Sequence, residues 1–385
     1  MASEGDTRVQ VTYRLAENAA EAETLARRIA FEQAVELPEA QVTEEIRRHV
    51  VGRVEAISQD PGAEGASLAT ISYDAGLAGH HMSPFLNLVF GNVSLFEGVR
   101  LVDVTLPERI TQALQGPRSG LKSLRAMTGV YGRPLLATPL KPRGASVETL
   151  AGIARDFALG GGDIVKDDQN LADDFEAFKR RVATCKRAVD DANARSGRRC
   201  LYFPHLTAPG AELERYLDYV SSLGLPGVLV CPMILGLETM RGIGQRYPLM
   251  LMAHPTMSGS FTQGQRQGID PGVLLGTLFR LAGADLSIVP RSGGRFAISR
   301  EQCLSIRDRL LEPLGKVVPS CPAPGGGIRL DNLAAMCADY GEEATFIVGG
   351  ALQIRGGDVT AGTHAFLEAI REHYEERIEA PVDPA

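Results

Sequence analysis

The sequence has no excess of positive charge, no long apolar run and no clustered cysteines, and each lack removes a class of function. Among 385 residues, 40 Lys and Arg stand against 47 Asp and Glu, a formal net charge of −7. That is the wrong sign for a generic binder of phosphate backbones, so nucleic acid is not expected as a partner. No stretch approaches the roughly 18 to 20 apolar residues that a membrane helix needs. The start, Met1 to Thr7, is polar and acidic rather than basic and then apolar, so no membrane partner is expected and the chain reads as cytoplasmic. The six cysteines, Cys185, Cys200, Cys231, Cys303, Cys321 and Cys337, have no Cys-x-x-Cys or Cys/His spacing, which argues against a disulfide framework or a zinc knot. They read as reduced, buried thiols.

What is present is a globular composition, 44% hydrophobic and 23% charged, with 42 Gly and 22 Pro spread along the chain. The length suits one large domain and one small one. Residues 1–132 give mixed signals, with strands at Val9 to Leu15, Val50 to Ile57 and Leu68 to Tyr73 and a helix from Ala19 to Ala34, a pattern that predicts a small α+β domain. From Arg133-Pro134 onward, short apolar strands alternate with helical segments. Eight strands are predicted: Leu135 to Leu140, Asp163 to Lys166, Leu201 to His205, Gly227 to Pro232, Leu249 to His254, Leu286 to Val289, Val317 to Cys321 and Thr345 to Val348. Helices follow them, among them Ser146 to Leu159, Asp174 to Ala194, Pro271 to Leu281 and Gly362 to Glu376. Eight such units over 133–376 predict a (β/α)₈ TIM barrel, with an open doubly wound sheet as the alternative, and 377–385 as a tail.

In such a barrel the chemistry sits at the carboxyl ends of the strands. The polar residues there are Lys141, Lys166-Asp167-Asp168-Gln169, His205, His254 and Arg291. The glycine turns Gly325-Gly326-Gly327 and Gly349-Gly350 follow strands seven and eight, where backbone N–H groups commonly hold a phosphate, so a phosphorylated ligand is expected. Lys166 and Asp168 are two apart and share one face of an extended strand, while Asp167 points away. That spacing fits an ion pair, or a metal site in which a lysine carbamate and carboxylates supply the oxygen ligands that Mg²⁺ prefers.

The run Gly161-Gly-Asp-Ile-Val-Lys166-Asp-Asp-Gln-Asn170, preceded by Pro139-Leu-Lys141-Pro-Arg143, resembles the large subunit of RuBisCO, and more closely the RuBisCO-like proteins (form IV) that do not fix CO₂. Leu86-Asn-Leu-Val-Phe-Gly91-Asn92, Ala323-Pro-Gly-Gly-Gly-Ile328 and Phe346-Ile-Val-Gly349-Gly350 extend the resemblance from about residue 10 to about residue 370. It implies that Lys166 is carbamylated and, with Asp168 and Gln169, holds Mg²⁺ against an enediolate oxygen. It also implies that Lys141 handles protons during enolisation and that His254 is an active-site histidine. Gly326, Gly327, Gly349 and Gly350 would bind a phosphate. Glu32 would reach the barrel of a neighbouring subunit, which implies a homodimer with shared sites. Arg143, His205, Arg291 and Arg295 complete the candidate substrate contacts.

The departures from the family pattern sharpen the expectation. Gln169 replaces the usual glutamate, which lowers the charge offered to a metal. Pro255 replaces an arginine and the strand-six histidine is absent near Ile288, so the grip on a second phosphate is lost and a monophosphate is expected. Leu37-Pro38 replaces a Thr-Trp pair, Pro84 falls near an asparagine, and the loop Pro290 to Phe296 has no lysine tip, which argues against CO₂ fixation. The expected activity is enolate chemistry on a phosphorylated keto-sugar or keto-acid. Decarboxylation or carbon–carbon cleavage of a 3-oxo sugar-acid phosphate, of isoapionate type, leads, ahead of enolisation or isomerisation of a methionine-salvage sugar phosphate. A catalytically degenerate barrel that only binds a metabolite is the third reading.

Overall fold

The computed structural model describes residues 7–16, 19–352 and 357–379. Alternation of Val9, Val11, Tyr13 and Leu15 with polar residues buries one face of β1 (Arg8–Leu15), as a half-covered strand requires. Antiparallel to β1 run β3 (Ser67–Asp74) on one side and β4 (Val99–Thr105) on the other, with β2 (Arg53–Gln59) beyond β3. The helix Ala19–Glu32 lies against β2 and β3. β4 is absent from the sequence reading because Arg100 is buried between Val99 and Leu101, which leaves no clean alternation to detect.

The second sheet comprises β5 (Leu135–Leu140), β6 (Ile164–Asp167), β7 (Leu201–Phe203), β8 (Gly227–Val230) and β9 (Met250–Ala253). After β10 (Gly268–Ile269), which leaves the barrel to pair in parallel with β4, come β11 (Leu286–Pro290), β12 (Cys321–Gly325) and β13 (Thr345–Ile347). The eight barrel strands are ordered β7-β6-β5-β13-β12-β11-β9-β8. Two backbone bonds bring the ends together: Leu229 donates to Pro204 O at 2.8 Å and Leu206 to Leu229 O at 2.9 Å, a parallel bridge that closes the ring. The architecture is therefore a (β/α)₈ barrel with a separate N-terminal mixed-sheet domain.

Inside the barrel Leu135, Ala137, Ile164, Phe203, Leu229, Met252, Leu286 and Ala323 form one apolar cluster. Leu121 and Leu124, on the helix Gly120–Thr128, join it, so this helix plugs the amino-terminal end of the barrel. There the Asp285 carboxylate accepts from the amides of Ser119, Gly120 and Leu251 at 3.1, 2.6 and 2.8 Å.

Besides the missed β4, three elements depart furthest from the sequence reading. The seventh barrel strand is Cys321–Gly325 rather than Val317 to Cys321. The segment expected as a helix from Pro271 to Leu281 is a π-helix over Gly272–Leu278 followed by one α turn. The last helix, Val359–Glu379, starts earlier than expected and covers 377–379 of the expected tail; residues 380–385 lie outside the described residues.

Candidate active site

A cavity of about 1090 Å³ opens at the carboxyl ends of the barrel strands. Ile288 and Ile347, the top of the inner apolar cluster, are part of its wall. Lys141, Lys166, Asp168, Gln169, His254, Arg295, Gly326, Gly327, Gly349 and Gly350 all line it.

β6 positions the central group. Because alternate residues of a strand face opposite sides, Lys166 and Asp168 turn to the cavity and Asp167 turns to the helices. Asp167 is fully buried there, taking an ion pair from Arg181, a hydrogen bond from Tyr202 OH at 2.8 Å and one from the His205 amide at 2.9 Å. Arg181 also donates to Asp173 at 2.7 Å, which ties the following loop to the same anchor. Lys166, 3% exposed, donates from Nζ to Asp167 O at 2.9 Å. Burial pulls the Lys166 amine down to about 8, with the Asp168 carboxylate opposing and Lys141 adding to the fall.

Asp168 Oδ1 accepts from the Asn170 amide at 3.0 Å and its side-chain nitrogen at 2.8 Å. Its Oδ2 lies 3.1 Å from Lys141 Nζ, an ion pair, yet no donor among the described residues is aligned on that oxygen as a hydrogen bond. Burial pushes the Asp168 carboxyl up, but the Asn170 amide and the Lys141 ammonium outweigh it, and the net shift is downward. The group is therefore an ionised, buried carboxylate with one under-satisfied oxygen. Such an oxygen, beside the Gln169 amide, fits a hard divalent cation; Lys166 joins the set only as a carbamate, since an amine nitrogen is a poor ligand for Mg²⁺. Among the described residues no three His, Cys, Asp or Glu side chains gather as a metal cluster, and of this trio only Asp168 is of those types.

Across the mouth, Gly326 and Gly327 have φ of +96° and +83°, which side-chain-bearing residues rarely adopt. A Cβ on Gly326 would meet nothing within 4 Å, so this backbone lies open to the cavity. The amides of Gly326, Gly327 and Gly349 find no acceptor among the described residues, as a cradle for an anion would require. Arg291 is not on the cavity wall; it braces this turn from behind, donating to Gly326 O at 3.3 Å and Gly293 O at 3.1 Å.

The remaining candidates are not brought to the cavity of their own chain. Arg143 is exposed beyond Lys141. Glu32 sits in the N-terminal domain and accepts from Asn92 Nδ2 at 3.0 Å. His205 is 3% exposed behind the wall, with Leu171 O at 3.3 Å and Thr207 Oγ1 at 2.8 Å from its Nδ1 and Cys231 Sγ 3.6 Å from its Nε2. Burial draws His205 down to about 4, so its ring is neutral near pH 7. The sequence reading missed Thr256, Met257, Gln263, Gln265, Gln302 and Arg329, all on the wall. Met257 is a non-glycine residue at φ +69° and stands 54% exposed, a strained position that sequence does not announce.

Comparison with known proteins places the chain in a family. Residues 120–353 match the family "Ribulose bisphosphate carboxylase large chain, catalytic domain". The chain is 39% identical over 369 residues to ribulose bisphosphate carboxylase-like protein 1 of Rhodopseudomonas palustris, covering 95% of this chain and 98% of that one. It is 35% identical to the 5-methylthioribulose-1-phosphate isomerase of Rhodospirillum rubrum, covering 94% and 96%.. It is 31% identical to the 2,3-diketo-5-methylthiopentyl-1-phosphate enolase of Geobacillus thermodenitrificans, covering 85% and 82%. Among solved structures, a Rubisco-like protein from Rhodopseudomonas palustris superposes with a TM-score of 0.85 at 35% identity, covering 95% of this chain and 98% of that one. The octameric RuBisCO of Pyrococcus horikoshii OT3 gives 0.88 at 27% identity, covering 97% and 90%. The chain belongs to the RuBisCO large-chain family, and within it to the RuBisCO-like proteins.

Proposed function

We propose that this protein is an isomerase or enolase that moves a proton at the carbon beside the carbonyl of a keto-sugar monophosphate. The observation that carries the proposal is one cavity in which the Lys141 amine, the Asp168 carboxylate and His254 share a wall with glycine turns whose amides lack acceptors. The phosphate would sit on Gly326, Gly327 and Gly349, with Gly350 beside them, and Lys141 Nζ would take or return the proton. Asp168, 3.1 Å away, holds that amine at the cavity mouth. The names of the relatives, an isomerase and enolases of methylthio sugar phosphates, support proton transfer over the decarboxylation of isoapionate type that leads the sequence reading. Met257, Leu275, Phe296 and Ile298 give the cavity an apolar stretch suited to an alkylthio end.

Lys166 as a carbamate, Asp168 and Gln169 would hold Mg²⁺, which when bound supplies positive charge for a developing enolate. The resemblance to RuBisCO supports a homodimer as the working unit, with Glu32 offered to the partner's cavity, and the octameric structural relative is likewise an assembly of copies of one chain. The test is incubation with 5-methylthioribulose 1-phosphate and Mg²⁺, followed by ³¹P NMR. The proposal expects a new phosphorylated isomer or enol product from the wild type; release of CO₂ from a 3-oxo sugar-acid phosphate with no change to the ketose would favour decarboxylation.

A further inference from the structure

Two histidines at the barrel mouth share the spacing His-x-Thr, His205 with Thr207 and His254 with Thr256, and their surroundings differ in one decisive respect. The Thr256 backbone N–H donates to His254 Nδ1 at 3.1 Å, and the Thr256 hydroxyl lies 2.6 Å from the same nitrogen. An amide N–H has no lone pair to offer, so the ring nitrogen that receives it bears no proton. The hydroxyl, free to rotate, then points its hydrogen at that nitrogen as well. At His205 the sense is reversed: the Leu171 carbonyl, which can only accept, lies 3.3 Å from Nδ1, so there Nδ1 carries the proton.

A ring whose Nδ1 keeps its lone pair to receive an amide N–H is not the imidazolium, so His254 is neutral and has a single proton to place. With Nδ1 occupied as an acceptor, that proton is on Nε2. Nε2 has no partner among the described residues and is not among the fully buried unpartnered atoms, and the ring is part of the cavity wall.

We propose that Thr256 is a positioning residue that fixes His254 as the Nε2–H tautomer, making His254 a neutral hydrogen-bond donor to a substrate oxygen rather than a base. The tautomer stands on the geometry alone, whereas the substrate oxygen rests on the function proposed above. A preorganised neutral donor aimed where negative charge develops stabilises that charge without having to lose or gain a proton. It leaves proton transfer to Lys141.

Long-range ¹H–¹⁵N NMR of the histidine-labelled protein tests this without any ligand. His254 is assigned as the one signal of seven missing in His254→Gln. The proposal expects an unprotonated Nδ1 and a protonated Nε2 at pH 7, with the opposite pattern for His205. Thr256→Val should move the His254 Nδ1 resonance toward that of a ring nitrogen with fewer donors, and Thr256→Ser should leave it in place. A protonated Nδ1, or no movement in Thr256→Val, would overturn the proposal. On turnover of 5-methylthioribulose 1-phosphate, His254→Gln, which keeps an N–H donor, should retain activity that His254→Leu loses by about 10²-fold. Equal loss in both variants would instead make His254 an acid–base group. A wild type that leaves this compound unchanged would sink the function proposed above while the NMR pattern still decides the tautomer.

Discussion

At the scale of the residue, Gln169 is where this chain departs most consequentially from the pattern of its family. A carboxylate at that position would add a full negative charge to a site that already has Asp168, whereas an amide oxygen can ligate but contributes only its dipole. Gln169→Glu should therefore tighten Mn²⁺ binding by about tenfold or more, the equivalent of roughly 1.4 kcal/mol. EPR titration in bicarbonate buffer reads this directly, and unchanged affinity would mean that residue 169 does not face the metal. The alternation of Lys166, Asp167 and Asp168 across β6 is legible from sequence because period-two geometry leaves no other choice. Thr256 and Met257 are not legible in the same way, since their roles depend on how one loop folds back on the residue at the end of β9.

At the scale of the element, β12 shows why a strand can be found and still be misplaced. Val317-Val318 looks like strand and Cys-Pro-Ala-Pro-Gly does not, because proline cannot donate to a ladder. The structure accommodates both prolines by direction. Cys321 donates to Asp285 O at 2.8 Å on the β11 side, so Pro322 and Pro324 lack donors only toward β13, where the pairing is limited to Gly325 with Ile347. Val317 and Val318 instead belong to a lead-in segment whose carbonyls, with those of Arg309 and Glu312, accept from the fully buried Arg280 guanidinium at 2.8 to 3.0 Å. Arg280→Met should leave those acceptors unmatched and lower stability by about 3 kcal/mol, measured by urea unfolding. A change within about 0.5 kcal/mol would show that water replaces the guanidinium.

The helix plug at the other end of the barrel predicts a pH effect. Burial raises Asp285 to about 6 despite the amides it accepts from, above its value in an unfolded chain. The folded state then holds a proton that the unfolded state releases, so the stabilisation from the protonated group is complete below about pH 4 and is lost as pH rises through 6. Between those values the wild type should lose roughly 2 to 3 kcal/mol relative to Asp285→Ala. Parallel pH profiles for the two proteins would contradict the shift.

At the scale of the whole molecule, the eightfold repeat, the small leading domain and the position of the cavity were readable because burial period and chain length constrain a barrel strongly. What the repeat does not encode is the bridge between the two domains. Arg100 on β4, 3% exposed, donates to the carbonyls of Thr262 and Gln267 at 3.3 Å each and to that of Gly264, and β10 continues the N-terminal sheet. One wall of the cavity thus hangs on the N-terminal domain, a connection made by residues more than 160 positions apart. Proton transfer at the carbon beside a ketone needs the proposed phosphate cradle, the lysine and the wall together. Incubating the Mg²⁺- and bicarbonate-treated protein with the proposed ketose monophosphate in D₂O, and following the substrate carbons by ¹³C NMR, reads that transfer at the reacting carbon. The wild type should place deuterium at the carbon beside the carbonyl, and Lys141→Met should lose about 10²-fold or more of that exchange. A protein that binds the compound yet exchanges no proton, or a Lys141→Met variant that exchanges as fast as the wild type, would rule out proton transfer by Lys141 in this cavity.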